Sequence, residues 1–126
     1  MDILKIIKTI EELKAMDTIE FSKLVKSRVR RSILRKFDVI DKFVARCRKS
    51  DAEKKQIKTQ YRDMIVVPKM VGMKIQIYNG HTFVPVDITG EMLGHYFGEF
   101  SLTRNKVNHG KAGVGATKGS KSKSKK

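Results

Sequence analysis

Apolar residues in the first half of the chain recur every three or four positions. Ile3, Ile6, Ile7, Ile10 and Leu13 are separated by charges, so residues 1–16 are predicted to form an amphipathic helix. Asp17 followed by Glu20 resembles a capping box at the next helix start, with Asp in place of Ser or Thr. Phe21, Leu24, Val25, Val29, Ile33, Leu34 and Phe37 then hold one stripe, which Ile40, Val44 and Cys47 continue. Helix should dominate the first 48 residues, with a break near Phe37 and Asp38. Lys23, Lys26, Arg30, Arg31, Arg35 and Lys42 fall on the opposite side, and Arg46, Arg48 and Lys49 close the segment. One face is therefore available to a core and the other to a partner.

The pattern changes character at Tyr61. Asp51 to Thr59 reads as a polar linker, with Ser50 to Glu53 able to cap a short turn. Met64 to Val67 is a β-branched run stopped by Pro68, and Lys74 to Tyr78 alternates between polar and apolar residues. Asn79-Gly80 follows at once and predicts a tight hairpin of type I′, whose two central residues both need positive φ. Thr82 to Ile88 is the expected return strand, and Pro85 puts it at a sheet edge or a bulge. Gly90, Gly94 and Gly98 recur every fourth residue, and a short helix over Glu91 to Tyr96 is expected, started by Thr89. Asn105 to Lys126 is rich in Gly, Lys and Ser and should be disordered until bound. The expected fold is a small α+β domain: residues 1–60 form basic amphipathic helices packed on a short sheet built from an antiparallel hairpin. Residues 61–104 form the α+β core and 105–126 an extended basic tail.

Charge divides the chain along nearly the same lines. The net charge is +15 over 126 residues. Residues 1–21 carry −2 and residues 63–99 carry −2, whereas 22–62 carry +11 and 100–126 carry +8. Blocks of one sign mark interaction segments, and an excess of this size calls for a polyanion. Nucleic acid is the first candidate. Membrane is not expected, because no stretch approaches the roughly 20 apolar residues of a spanning helix, and Asp2, Lys5 and Lys8 interrupt any secretory h-region. The protein should stay on the cytosolic side.

Catalytic and metal chemistry find little support. His81, His95 and His109 are scattered, no nucleophile stands beside them, and the lone Cys47 reads as a reduced, buried thiol. Asp63, Asp87, Glu91 and Glu99 are the only candidates for a paired-carboxylate site in the second half. No enzyme activity, cofactor or metal is expected.

Arg62-Asp-Met-Ile-Val-Val-Pro68, Val71-Gly72, Tyr78-Asn-Gly80, Phe83-Val-Pro-Val86 and Met92-Leu-Gly-His-Tyr-Phe-Gly-Glu-Phe100 occur in that order and spacing. This pattern closely resembles the S-nineteen family of small-subunit ribosomal proteins, called S-fifteen in eukaryotes, over about residues 20–117. Val107 to Thr117 and the basic helical segment before Tyr61 resemble the eukaryotic or archaeal branch. The resemblance implies a place in the head of the small subunit, bound to small-subunit rRNA. It also implies a neighbouring head protein of the S-thirteen family and a tail directed towards tRNA at the decoding centre. The location implied is the cytoplasmic ribosome, with nuclear and nucleolar passage during assembly, and no homo-oligomer.

Carried over by position, Arg62, Asn79, Gly80, His81, Gly94, His95, Gly98, Arg104 and His109 become candidate RNA-side or turn-forming residues. The charge pattern adds Arg30, Arg31, Arg35, Arg46, Arg48, Lys49, Lys74, Lys106 and Lys111. Lys69 stands where the eukaryotic pattern has an acid and would strengthen a phosphate contact. Glu99 and Phe100 are expected to be internal. Tyr78 and Tyr96 either stack on unpaired bases or pack in the core. The family's basic N-terminal extension is replaced by the Ile-rich helix, and the tail after Thr117 becomes a Lys/Ser repeat. A DNA-compacting, histone-like protein would share the basic tail but would not need the hairpin and glycine motif.

Overall fold

The computed structural model describes residues 9–108 and 110–119. Ile3, Ile6 and Ile7 of the first stripe, His109, and the end of the Lys/Ser repeat lie outside the described residues. Among the described residues four helices come first: α1 (Ile10–Ala15), α2 (Thr18–Leu24), α3 (Ser27–Arg35) and α4 (Phe37–Ala52). The expected break near Phe37 falls at Lys36, which ends α3 and starts α4. Two further breaks, at Met16 and Val25, have extended backbone and no Gly or Pro to announce them. They turn the chain so that Leu13, Phe21 and Ile33 all reach one core at 2% exposure or less, which one straight helix could not achieve.

The capping box sits one helix earlier than expected. Thr9 Oγ1 accepts from the Glu12 N–H and Glu12 Oε2 accepts from the Thr9 N–H, closing the start of α1. Asp17 makes no side-chain cap bond; its carboxylate accepts from Lys69 Nζ at 3.0 Å. Ile40, Phe43, Val44 and Cys47 form the buried stripe of α4, and Phe43 stacks edge-on against Phe97 at 5.9 Å.

The sheet has three strands in the order β1 (Ile57–Thr59), β2 (Lys74–Tyr78), β3 (Phe83–Asp87). The hairpin of β2 and β3 is antiparallel, pairing Ile75 with Val86 and Ile77 with Val84, and Pro85 lies on an edge strand as expected. The polar linker, however, contains β1, which runs parallel to β2 and sets Ile57 beside Ile75 and Thr59 beside Ile77. The fold is α+β with a mixed sheet. Residues 60–73 form the crossover that a parallel pair requires, without an α-helix.

The hairpin turn is looser than a type I′ turn. Tyr78 pairs with Phe83, so residues 79–82 form a four-residue loop. Gly80 has φ +97°, but Asn79 does not have positive φ. The Asn79 side chain does the turning: its Oδ1 accepts from the N–H groups of His81 (2.9 Å) and Thr82 (2.7 Å), as Asn does in Asx-turns.

No α-helix spans Glu91 to Tyr96, although Thr89 does hold the N-cap position of a 3-10 turn at the expected start. Short 3-10 turns occupy Gly90–Met92 and Phe97–Phe100, and Gly94 at φ +78° ends any helical continuation between them. The backbone here pairs across to the Arg62 to Val66 segment instead. Val66 donates to His95 O (2.9 Å), Gly94 to Val66 O (3.1 Å), Phe97 to Met64 O (2.9 Å) and Gly98 to Arg62 O (2.8 Å). Met64, Ile65, Val66 and Val67 are buried at 3% exposure or less, so this ladder lies against the centre of the core.

Gly80→Ala is expected to lower stability by roughly 1 kcal/mol, since a Cβ at its φ is strained although nothing crowds it. Urea unfolding of the two proteins at equal ionic strength measures the difference.

Candidate nucleic-acid interface

Helix α3 buries Ile33 and half-buries Val29, which leaves Arg28, Arg30, Arg31 and Arg35 exposed on the other side. Arg28, Arg31 and Arg35 follow at spacings of three and four, so they form one row about 10 Å long at 1.5 Å per residue. Among the described residues none of these four guanidinium groups has an acid or any other partner. Leu34, expected on the apolar stripe, is 51% exposed among the arginines. Being one residue from Ile33, it is rotated by about 100° away from the core. Along α4, Lys42, Arg46, Arg48 and Lys49 are exposed, and the Arg46 guanidinium lies 5.1 Å from the Phe43 ring centroid.

Several sequence candidates face inward. Arg62 Nη1 donates to Tyr78 O at 2.6 Å, while Nη2 donates to Gly98 O at 2.9 Å and to Ser101 O at 2.5 Å. Its charge is spent on three carbonyls from the hairpin end, the last 3-10 turn and the residue after it. Gly98 serves the same cluster: a Cβ there would lie 3.2 Å from Arg62 O and 3.4 Å from Nη2. Lys69, expected to meet phosphate, is held by Asp17, and its side chain is only 20% exposed. That lysine also draws the Asp17 carboxyl below its ordinary pKa. Lys74 stands 3.7 Å from Asp87 on the solvent side of the hairpin.

His95 meets Glu99 through Nδ1 and Oε2 at 2.8 Å, with Phe100 edge-on to its ring. Glu99, expected to be internal, is exposed; it accepts from His95 and from the Tyr96 N–H, closing the last 3-10 turn. Phe100 is half-buried. Of the other acidic candidates, Asp63 pairs with Lys36, whose hydrogen bond lowers the Asp63 pKa, and Asp87 faces Lys74. These carboxylates lie on separate ion pairs. Cys47 is buried, and burial pushes its thiol up to about 11, so it stays protonated at neutral pH.

His81, Arg104, Lys106 and Lys111 are exposed, and described residues 105–119 contain no helix or strand. Tyr78 packs against Phe83, with ring centroids 5.1 Å apart, and the Tyr96 hydroxyl meets Ser32 Oγ at 3.2 Å. Two exposed side chains were not singled out from the sequence. Arg28 was recoverable from its i,i+3 relation to Arg31. Tyr61, 54% exposed, reads in sequence as the start of the core. No described helix is long and apolar enough to cross a membrane, and the described residues contain no cluster of three metal-ligating side chains.

The architecture is that of a small basic α+β protein whose distinctive surface is a helix bearing cations with no acid partner among the described residues, packed against a nearly neutral core. A family model described as ribosomal protein S19 matches residues 31–109. The small ribosomal subunit protein uS19 of Methanococcoides burtonii is 44% identical over 114 residues, covering 90% of this chain and 82% of that protein. The protein of the same name from Methanocella arvoryzae is 46% identical over 113 residues, covering 90% and 79%. The chain belongs to the ribosomal protein S19 family. Sequence resemblance left the eukaryotic and archaeal branches open; both of these relatives are archaeal.

Arg62→Ala is expected to destabilise the fold by about 2–4 kcal/mol, because three carbonyls lose a charged donor in a half-buried site. Denaturant unfolding should show the loss, and nucleic-acid affinity measured on the folded fraction should change little.

Proposed function

We propose that the chain is a structural protein of the small ribosomal subunit, in the cytoplasmic ribosome, that anchors small-subunit rRNA by neutralising its phosphates. The observation that carries this reading is the outward face of α3, where Arg28, Arg30, Arg31 and Arg35 stand exposed with no acid partner among the described residues. A guanidinium row of this kind matches phosphate oxygens and displaces condensed counterions whatever the base sequence. Arg46, Arg48 and Lys49 extend the surface along α4, and Lys74, His81, Arg104, Lys106 and Lys111 add exposed donors from the hairpin and the tail.

Shape supplies the selection, as is usual for structured RNA. Asn79 and Gly80 set the hairpin tip that carries His81, and Gly94 and Gly98 set the turn that carries His95. Arg62 and Lys69 act from behind, holding the scaffold rather than the RNA. A place in the subunit head, a neighbour of the S-thirteen family and a tail near tRNA at the decoding centre complete the reading; family resemblance supports these.

Filter binding to a small-subunit head rRNA fragment between 50 and 200 mM salt tests the mechanism. If six to ten phosphates are neutralised, affinity should fall by about 10³ to 10⁵, and replacing Arg30, Arg31 and Arg35 together by Ala should reduce the logarithmic slope by about 2–3. A nearly flat salt dependence, or an unchanged slope in the triple variant, would contradict it.

A further inference from the structure

The chain has three tyrosines and no tryptophan. Tyr78 and Tyr96 have partners within the fold, whereas Tyr61 is 54% exposed on a backbone tied down by its neighbours. The Tyr61 N–H donates to Thr59 Oγ1 at 3.1 Å, the next residue is the three-carbonyl Arg62 anchor, and Asp63 beyond it is ion-paired to Lys36. Tyr61 and Val39, itself 45% exposed, line two hollows in common. One, of about 170 Å³, has an apolar wall of Ile40, Met64 and Ile65. The other, of about 340 Å³, is bordered by Phe43, Lys42 and Arg46.

We propose that Tyr61 and Val39 form a stacking site for one unpaired nucleobase of the bound RNA, with the adjoining phosphate held by Lys42 and Arg46. The inference rests on the RNA-anchoring reading and names a subsite within it. Stacking needs an exposed aromatic face whose position is paid for before binding, and the anchored neighbours of Tyr61 provide that. Charge complementarity selects RNA over an apolar protein segment. Among the described residues Lys42 and Arg46 make no ion pair, although Asp38 and Asp41 lie on the same helix, and Asp63, the acid bordering the apolar hollow, is already neutralised by Lys36. The same hollow reaches Ser32 of α3, so it is continuous with the helix that carries the arginine row.

The test uses the full chain with two RNA probes of equal phosphate number, a single-stranded oligonucleotide and a fully paired duplex. Tyr61→Ala should weaken binding to the single strand by at least fivefold and up to about a hundredfold, leaving the salt slope and duplex affinity unchanged. Tyr61→Phe should keep the affinity. Tyr61→Trp introduces the sole tryptophan, whose emission should be quenched by the single strand and not by the duplex. Equal affinities for the single strand in wild type and Tyr61→Ala, or an unquenched tryptophan at saturation, overturn the stacking site while leaving phosphate anchoring intact. Tryptophan emission that responds only to other small-subunit proteins also overturns it and makes the hollow a protein contact. Failure of the wild type to bind either RNA overturns the anchoring reading itself.

Discussion

The arrangement depends most on where the Arg62 guanidinium goes. In a strongly basic segment this side chain reads as one more cation for a polyanion, yet it turns inward and donates to the carbonyls of Tyr78, Gly98 and Ser101. Those carbonyls come from two stretches distant in sequence, Tyr78 from the hairpin and Gly98 and Ser101 from the last turn and its exit. A single planar donor group therefore fixes the end of β2, the last 3-10 turn and the exit towards the tail relative to one another. Gly98 is the complement of this anchor, since any larger residue would press against the Arg62 carbonyl and guanidinium. The backbone ladder between residues 62–66 and 94–98 continues the same junction into the core, where Met64 to Val67 are buried.

Charge is then sorted by what has been neutralised. Asp17 holds Lys69, Asp63 holds Lys36, Asp87 faces Lys74, and Glu99 faces His95. Asp17 and three of the four acids of residues 63–99 are thus engaged with basic groups at the edges of the core, and each such pair is too exposed to contribute much stability. Asp17 and Asp63 have lowered pKa values, so their pairs contribute at neutral pH and lose that contribution only as pH falls below the ordinary carboxylate range. The cations of α3 receive no such partner among the described residues. Most of the positive charge of residues 22–62 is consequently displayed, with Lys36 and Arg62 the exceptions, and this is the physical basis for proposing that RNA affinity lies in the helices and shape in the core.

The hairpin strands were legible because Lys74 to Tyr78 alternates and Pro85 marks an edge. The turn between them was legible in place but not in kind: the Asn79 side chain accepts two backbone hydrogen bonds, so its backbone does not need positive φ. Strand β1 was hidden by its length, three residues with one Ile, and by dependence on a partner distant in sequence. The spacing of Gly90, Gly94 and Gly98 suggested a helix, but Gly94 and the ladder to residues 62–66 use the same backbone differently. At the candidate interface, the exposed arginines of α3 were legible from periodicity. The internal partners of Arg62 and Lys69 were not legible, because a formal charge does not reveal whether tertiary structure has already supplied its partner.

If the core carries shape and the helices carry affinity, the junction at Arg62 must be formed before RNA is present. Amide hydrogen exchange on the RNA-free chain tests this most directly. The N–H groups of Val66, Gly94, Phe97 and Gly98 should be among the slowest to exchange, and adding RNA should slow the exposed helical surface and tail while changing these four little. Rapid exchange at these four positions that slows only when RNA binds would mean that RNA builds the core, and would contradict the division of labour between core and helices.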